Sequence, residues 1–290
     1  MTSSRWWFLV GLVLLMGGTA RAESPWIAEK GQILVSSVFN FDNFDDFWMA
    51  DRNVDFSDGP VHQYTESLGV EAGLYENLSL DLMLGWSWAQ SGEYTDDGLD
   101  DIRYGASYRF VNEFQSDQDW MPTITGRLGG ISQGSYLANG PIEAGDGASG
   151  VEASLLYGKV FGSSGFGITG SIKGQWLTEQ VPSRFINYLG VFQTFANQWT
   201  VNAGWRYQHS ATGYDIGGTG FSPDQFHKTK DIYHNAELGL AYTDHGGRTY
   251  DLTFARTLHG RNTREKFDVI FLVEVPFELG GKYGVRFGRY

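Results

Sequence analysis

The chain has 290 residues and no cysteine, which excludes disulfide stapling and thiolate chemistry. Its formal charge of −13, from 34 acidic against 21 basic side chains, argues against a nucleic-acid partner, because holding phosphates takes an excess of Lys and Arg. A hydrophobic share of 41% with 16% aromatics and 39 glycines suits either a soluble domain or a membrane barrel, so composition permits both and periodicity has to decide.

The first 22 residues have the three parts of an export leader: Arg5, an apolar run from Trp6 to Met16 broken by Gly11, and Ala20-Arg21-Ala22 as a small-x-small cleavage site. The run is too short to span a bilayer as a helix, which needs about 20 residues. A retained anchor is the competing reading, and the flanks fit it less well. The mature chain is therefore expected to begin at Glu23. No later segment offers about 18 consecutive apolar residues, so no transmembrane helix is expected.

The first strand is predicted at 31–41, followed by a polar link from Asp42 to Val61 that holds Asp42, Asp45, Asp46, Asp51, Asp55 and Asp58 among Phe44, Phe47, Trp48 and Phe56. Carboxylates so clustered can ligate Ca²⁺, and the aromatics would catch an apolar solute at a mouth. The spacing is not that of an EF-hand, and a solvated loop folded over a rim is the simpler reading. No metal site is assigned.

The next two strands, 62–74 and 78–90, flank the tight turn Tyr75-Glu76-Asn77. In the second, Leu78, Leu80, Leu82, Leu84, Trp86 and Trp88 alternate with Ser79, Asp81, Met83, Gly85 and Ser87, a period of two over eleven residues. Globular strands usually run five or six residues, whereas a tilted strand crossing a membrane needs about 9–11. The same pattern recurs at 100–110, 122–133, 149–161, 166–178, 198–209, 230–243, 248–259 and 266–277, while 184–195 alternates poorly and fits either register. Short turns at Gly162–Gly165, Ala196-Asn197 and Asp244–Gly247 alternate with longer links at Ser91–Leu99, Gly134–Ala148 and Ser210–Thr229, the last two Gly-rich and read as mobile. One link, Val111–Met121, is too long for a periplasmic turn.

These readings give an all-β fold: an antiparallel transmembrane β-barrel of about twelve strands over residues 23–277, with short periplasmic turns and long extracellular loops. The expected site is the outer membrane of a Gram-negative cell, with lipid around the barrel. Glu278–Tyr290 reads as a periplasmic tail available to a periplasmic partner, or as a further strand, since Tyr283, Val285 and Phe287 alternate.

Several motifs sit on these strands. Gly73-Leu74-Tyr75-Glu76-Asn77-Leu78-Ser79-Leu80, Gly98-Leu99-Asp100-Asp101-Ile102-Arg103-Tyr104-Gly105-Ala106 and Thr257-Leu258-His259-Gly260-Arg261-Asn262-Thr263 are similar to segments of the outer-membrane transporters grouped under the MetA pathway of phenol degradation. The chain departs from that pattern at Asp100, where Gly is expected, and in its last thirteen residues. The resemblance implies a barrel that moves small, often aromatic or apolar, molecules and carries no catalytic residues.

With the apolar stripes facing lipid, the inward set includes Glu71, Asp81, Arg103, Arg109, Arg127, Lys173, Arg206, Glu237, Asp251, Asp268 and Glu274. Eight strands leave room only for side chains and 16–18 leave a water channel, so about twelve should leave a narrow lumen. Mixed charges there either satisfy one another as a blocking network or line a thin path that filters small solutes. A passive channel needing no cofactor is the expected function, with Phe44, Phe47 and Trp48 at its mouth. The alternative is a plugged barrel with a structural or binding role. A membrane-embedded hydrolase has least support, because His209 and Ser210 fall on opposite faces of a strand and no G-x-S-x-G or H-E-x-x-H pattern occurs.

Overall fold

A computed structural model describes residues 23–55, 59–92, 94–135, 147–279 and 285–287. The predicted leader lies outside them, as do Phe56 and Asp58 of the first link. The strands are β1 (Gln32–Met49), β2 (Arg52–Asp55), β3 (Val61–Tyr75), β4 (Leu78–Ser91), β5 (Tyr94–Leu99), β6 (Ile102–Val111), β7 (Thr123–Ser132), β8 (Gly150–Val160), β9 (Phe166–Leu177), β10 (Arg184–Phe195), β11 (Trp199–Ser210), β12 (Ile232–Thr243), β13 (Thr249–Arg261), β14 (Arg264–Leu279) and β15 (Val285–Phe287).

Twelve of these, all but β2, β5 and β15, pair antiparallel with their neighbours in chain order. The ring closes where β1 pairs β14, from Gln32 opposite Glu278 to Phe47 opposite Arg264. Closure leaves no free edge, so each backbone N–H and C=O in the wall finds its partner on an adjacent strand. Even the shortest wall strands, β6 and β7, have 10 residues, enough to cross the hydrocarbon.

Alternation sorts the side chains. Leu80, Leu82, Leu84, Trp86, Tyr104, Tyr108, Leu128, Ile172, Trp176, Leu189, Trp205, Leu238 and Phe254 are exposed on the outer face, an arrangement stable only against lipid. The inner face buries Ser79, Thr125, Arg127, Glu152, Lys173, Glu237 and Asp251.

The structure revises several expectations. The link Asp42–Val61 is mostly strand: β1 continues to Met49 and folds back as β2, with Asp46 opposite Asp55. Ser91–Leu99 likewise holds β5, which returns along the upper half of β4. Leu279 still belongs to β14, and β15 pairs with its end, Phe277 opposite Phe287, so the C-terminal segment is partly a strand rather than wholly a tail. The ambiguous β10 settles with Phe185, Leu189, Val191 and Phe195 outward and Ile186, Tyr188, Phe192 and Thr194 buried inside. Large apolar residues on both faces blur the alternation there.

Candidate functional site

An open space at the inner wall is lined by Glu71, Asp81, Arg103, Arg127, Lys173 and Glu274, together with Glu23 and Glu152. Asp81 on β4 faces Glu71 across β3–β4, a like-charge pair that would repel. Each acid finds a donor elsewhere. Arg127 grips Asp81 with two parallel bonds, Nε to Oδ1 at 2.9 Å and Nη2 to Oδ2 at 2.6 Å, and its Nη1 bonds Glu152. Gly105 lies between them on β6; a Cβ there would come within 2.7 Å of Arg127 Nη2, so the guanidinium crosses β6 only over a glycine. Gln175 Nε2 donates to Glu152 at 2.9 Å and Arg184 Nε to Gln175 at 2.7 Å, extending the network to β10.

A second network is built around the chain start. Residues 23–31 do not hang below the barrel but rise into it as a strap. Glu23 accepts from Lys173 Nζ at 2.6 Å and Arg206 Nη1 at 2.9 Å, and Arg206 Nε donates to Glu237 at 2.8 Å. Trp26, 2% exposed, packs on Val160 and Phe192, its ring edge-on to Phe192 at 6.3 Å, and donates Nε1 to Glu113 at 3.0 Å. Thr125 Oγ1 donates to the Pro25 carbonyl at 2.6 Å, and the Ala28 N–H donates to Glu71 at 2.8 Å. Glu113 and Phe114 come from the long β6–β7 link, which explains its length: it reaches in to hold Trp26.

The opposite end is also covered. Phe44, Phe47, Val61 and Ile216 form a buried cluster, backed by Met49, Phe221 and Phe226. Phe44 and Phe47 are therefore packed rather than open to a solute, while Trp48 lies over the β13–β14 turn with its ring edge-on to His259 at 4.9 Å. The link Ser210–Thr229, expected to be mobile, is tied down. Asn262, in the left-handed region at φ 52°, accepts from Ile216 N at 3.0 Å and Ala50 N at 2.9 Å and donates to the Lys230 carbonyl at 2.7 Å. Arg261 grips Asp215 with bonds of 2.9 and 2.6 Å, and these hold the Asp215 carboxyl below its usual range. Most of Gly134–Ala148, residues 136–146, lies outside the described residues.

At this rim, burial pushes the Asp231 and Asp100 carboxyls up to about 6 against opposing contacts, a bond from Thr263 for Asp231 and from the Asp101 N–H for Asp100.

The predicted inward residues separate into groups. Glu71, Asp81, Arg103, Arg127, Lys173 and Glu274 share the central space, and Arg206 and Glu237 join it through Glu23. Arg109 bonds the Glu76 carbonyl at 2.5 Å and props a turn at the wall's lower edge. Asp251 bonds Thr253 at 2.7 Å, and Asp268 pairs with Lys266 at 3.0 Å, beside Asp42. Among the described residues Arg103 makes no hydrogen bond or direct ion pair; it lines the open space, and its charge acts at longer range on Asp100. Sequence reading missed Glu152, which strand parity would have placed inward, and Arg184, whose strand fits either register by parity alone. It also missed Glu23, Trp26 and Glu113, for which parity has no rule.

No protein-family model and no curated protein matches the chain. Among solved structures, the barrel is similar to the COG4313 outer membrane channel from Pseudomonas putida F1, with a TM-score of 0.70 at 12% identity over 90% of this chain and 100% of that one. At that identity the likeness establishes a shared fold. The KdgM porin aligns at a TM-score of 0.47 and 11% identity over 82% of this chain and 97% of its own, too weak a match to argue from. The likeness to phenol-pathway transporters drawn from the hairpin motifs is not matched by any family model.

Proposed function

We propose that this barrel is a passive channel of the Gram-negative outer membrane for small solutes, narrowed from the periplasmic side by its own residues 23–31. The observation that carries the reading is the charged open space above the strap: a barrel serving only as a wall would gain stability by filling it with apolar side chains, whereas here an arginine, Arg103, stands without a direct partner among the described residues. Arg127, Lys173 and Arg206 are committed to acids, so Arg103 is the group left to meet a passing solute. This lining favours polar or ionic solutes over the apolar and aromatic ones implied by the motif resemblance. Nothing in the proposed action needs a cofactor or a bond-making residue.

A second reading, a plugged barrel with a structural role, is supported by the same strap and by the pinned extracellular loop. Planar-bilayer conductance separates the two. The wild-type protein is expected to give small, steady steps, and Trp26→Ala, which removes the ring wedged against Phe192, to enlarge them severalfold. Absence of current from the wild type, with Trp26→Ala equally silent, would overturn the channel reading in favour of the plug.

A further inference from the structure

The charges around the open space are sorted by sign. Following the ring, β6, β7, β9 and β11 turn in the cations Arg103, Arg127, Lys173 and Arg206. The strands that complete it, β12, β14, β3 and β4, turn in the acids Glu237, Glu274, Glu71 and Asp81. Glu152 on β8 is an acid within the basic arc, and both Arg127 and Gln175 bond it. Arg103 stands close enough to Lys173 and Arg184 for their charges to oppose one another. Asp100, whose charge also reaches Arg103, accepts instead from the Asp101 N–H at 2.7 Å.

Strand register sets the two signs at the ends of one row. Arg103 pairs with Met83, Met83 with Gly69, Gly69 with Ser36 and Ser36 with Glu274, through β6, β4, β3, β1 and β14. All five residues line the open space. Between its charged ends the row holds only a thioether, a glycine and a hydroxyl, and the Ser36 hydroxyl lies where a Cβ on residue 69 would stand. Four strand spacings of about 4.8 Å separate the ends along the curved wall, and both long side chains reach inward from it. Glu71, two positions along β3 from Gly69, adds to the acidic end.

A monoanion entering this space gains Arg103 but meets the acids, and a monocation gains the acids but meets the basic arc. A molecule that carries both charges and no net charge gains at both ends, and the field across the space turns it into line. A guanidinium holds a carboxylate through two parallel bonds, and an ammonium offers three donors to carboxylate oxygens. We propose that the solute this space selects is a small zwitterion, a short amino acid with its carboxylate on Arg103 and its ammonium toward Glu71 and Glu274. The inference rests on the channel reading and adds to it the class of solute.

The test is the swelling of liposomes carrying the full-length protein in β-alanine or in lactamide, with the rates of protein-free liposomes subtracted. The two are isomers without net charge, and only β-alanine is a zwitterion. Wild type and Arg248→Gln, a change in the turn between β12 and β13, are expected to admit β-alanine severalfold faster than lactamide. Arg103→Gln is expected to bring that ratio close to one. Glu71→Gln, whose amide oxygen still accepts from the Ala28 N–H, is expected to lower it in the same direction. Equal entry of the two isomers in wild type, or a ratio unchanged in Arg103→Gln, would overturn the zwitterion site, while ionic current through the same protein in planar bilayers would keep the channel. Absence of both current and entry would remove the channel and the site with it.

Discussion

Arg127 bonds two carboxylates at once, and its side chain is 1% exposed. Arg127→Met would leave Asp81 and Glu152 facing the lumen without their cation, and losing one member of a buried ion network costs about 3–5 kcal/mol. A lower urea midpoint for refolded protein, partly restored by adding Glu152→Gln, is the expected result. Asp231 is the residue-scale source of pH dependence. Burial lifts its carboxyl to about 6 in the folded protein, against roughly 4 in an unfolded chain, so the folded state binds the extra proton between those values. Its stabilising contribution is therefore full below about pH 4 and is lost as pH rises through 6. Asp231→Asn, whose side-chain oxygen still accepts from Gln208, should raise the unfolding temperature at pH 7 and flatten its fall between pH 4 and 7. A steeper fall in the variant would contradict this. The acid at 231 is plain in the sequence, but its burial is not, because it stands just before β12 where a loop residue is normally wet.

The strap and the β6–β7 link act as one element. Gly158 on β8 has no side chain because Trp26 occupies that volume; a Cβ there would overlap the indole ring. Gly158→Ala should therefore displace Trp26, loosen the strap and raise single-channel conductance in the direction of Trp26→Ala. Unchanged conductance in both variants would mean that the strap does not limit flow. Periodicity locates the strands because they repeat every second residue, and it placed eleven of the twelve wall strands within about two residues of their ends, while β1 runs on to Met49, well past its predicted end at 41. It is silent about residues 23–31, whose partners Glu71, Glu113, Lys173 and Arg206 are scattered along the chain. The overlong Val111–Met121 link was the one visible sign that something inside needed holding. At the other end Phe44 and Phe47 looked like open mouth residues, because nothing local announces that Ile216 will come to cover them.

At the scale of the whole molecule, the closed ring turns the usual burial rule inside out: apolar outside, charged inside. Leu238, at mid-strand on β12 and 57% exposed, faces hydrocarbon rather than water. Leu238→Arg should cost about 2–4 kcal/mol, as basic residues do near the midplane of a barrel wall, measured by unfolding from lipid vesicles. The same change would be nearly neutral on a water-exposed sheet, so the size of the loss reports the medium around the barrel. Twelve strands place the lumen between the filled interior of eight and the open channel of sixteen, and the strap narrows it further.

The amino-acid sequence by itself determined the class of fold, a wall of about twelve strands and, outside β10, the alternation that sorts side chains between the two faces, because alternation in a strand is a local property that each residue carries with its neighbours. Only the tertiary structure decided how open the lumen is. That depends on which charges meet across the barrel, on a strap threaded into it and on a loop pinned over it by Asn262, contacts between residues as far apart as Glu23 and Arg206, for which no short-range pattern exists.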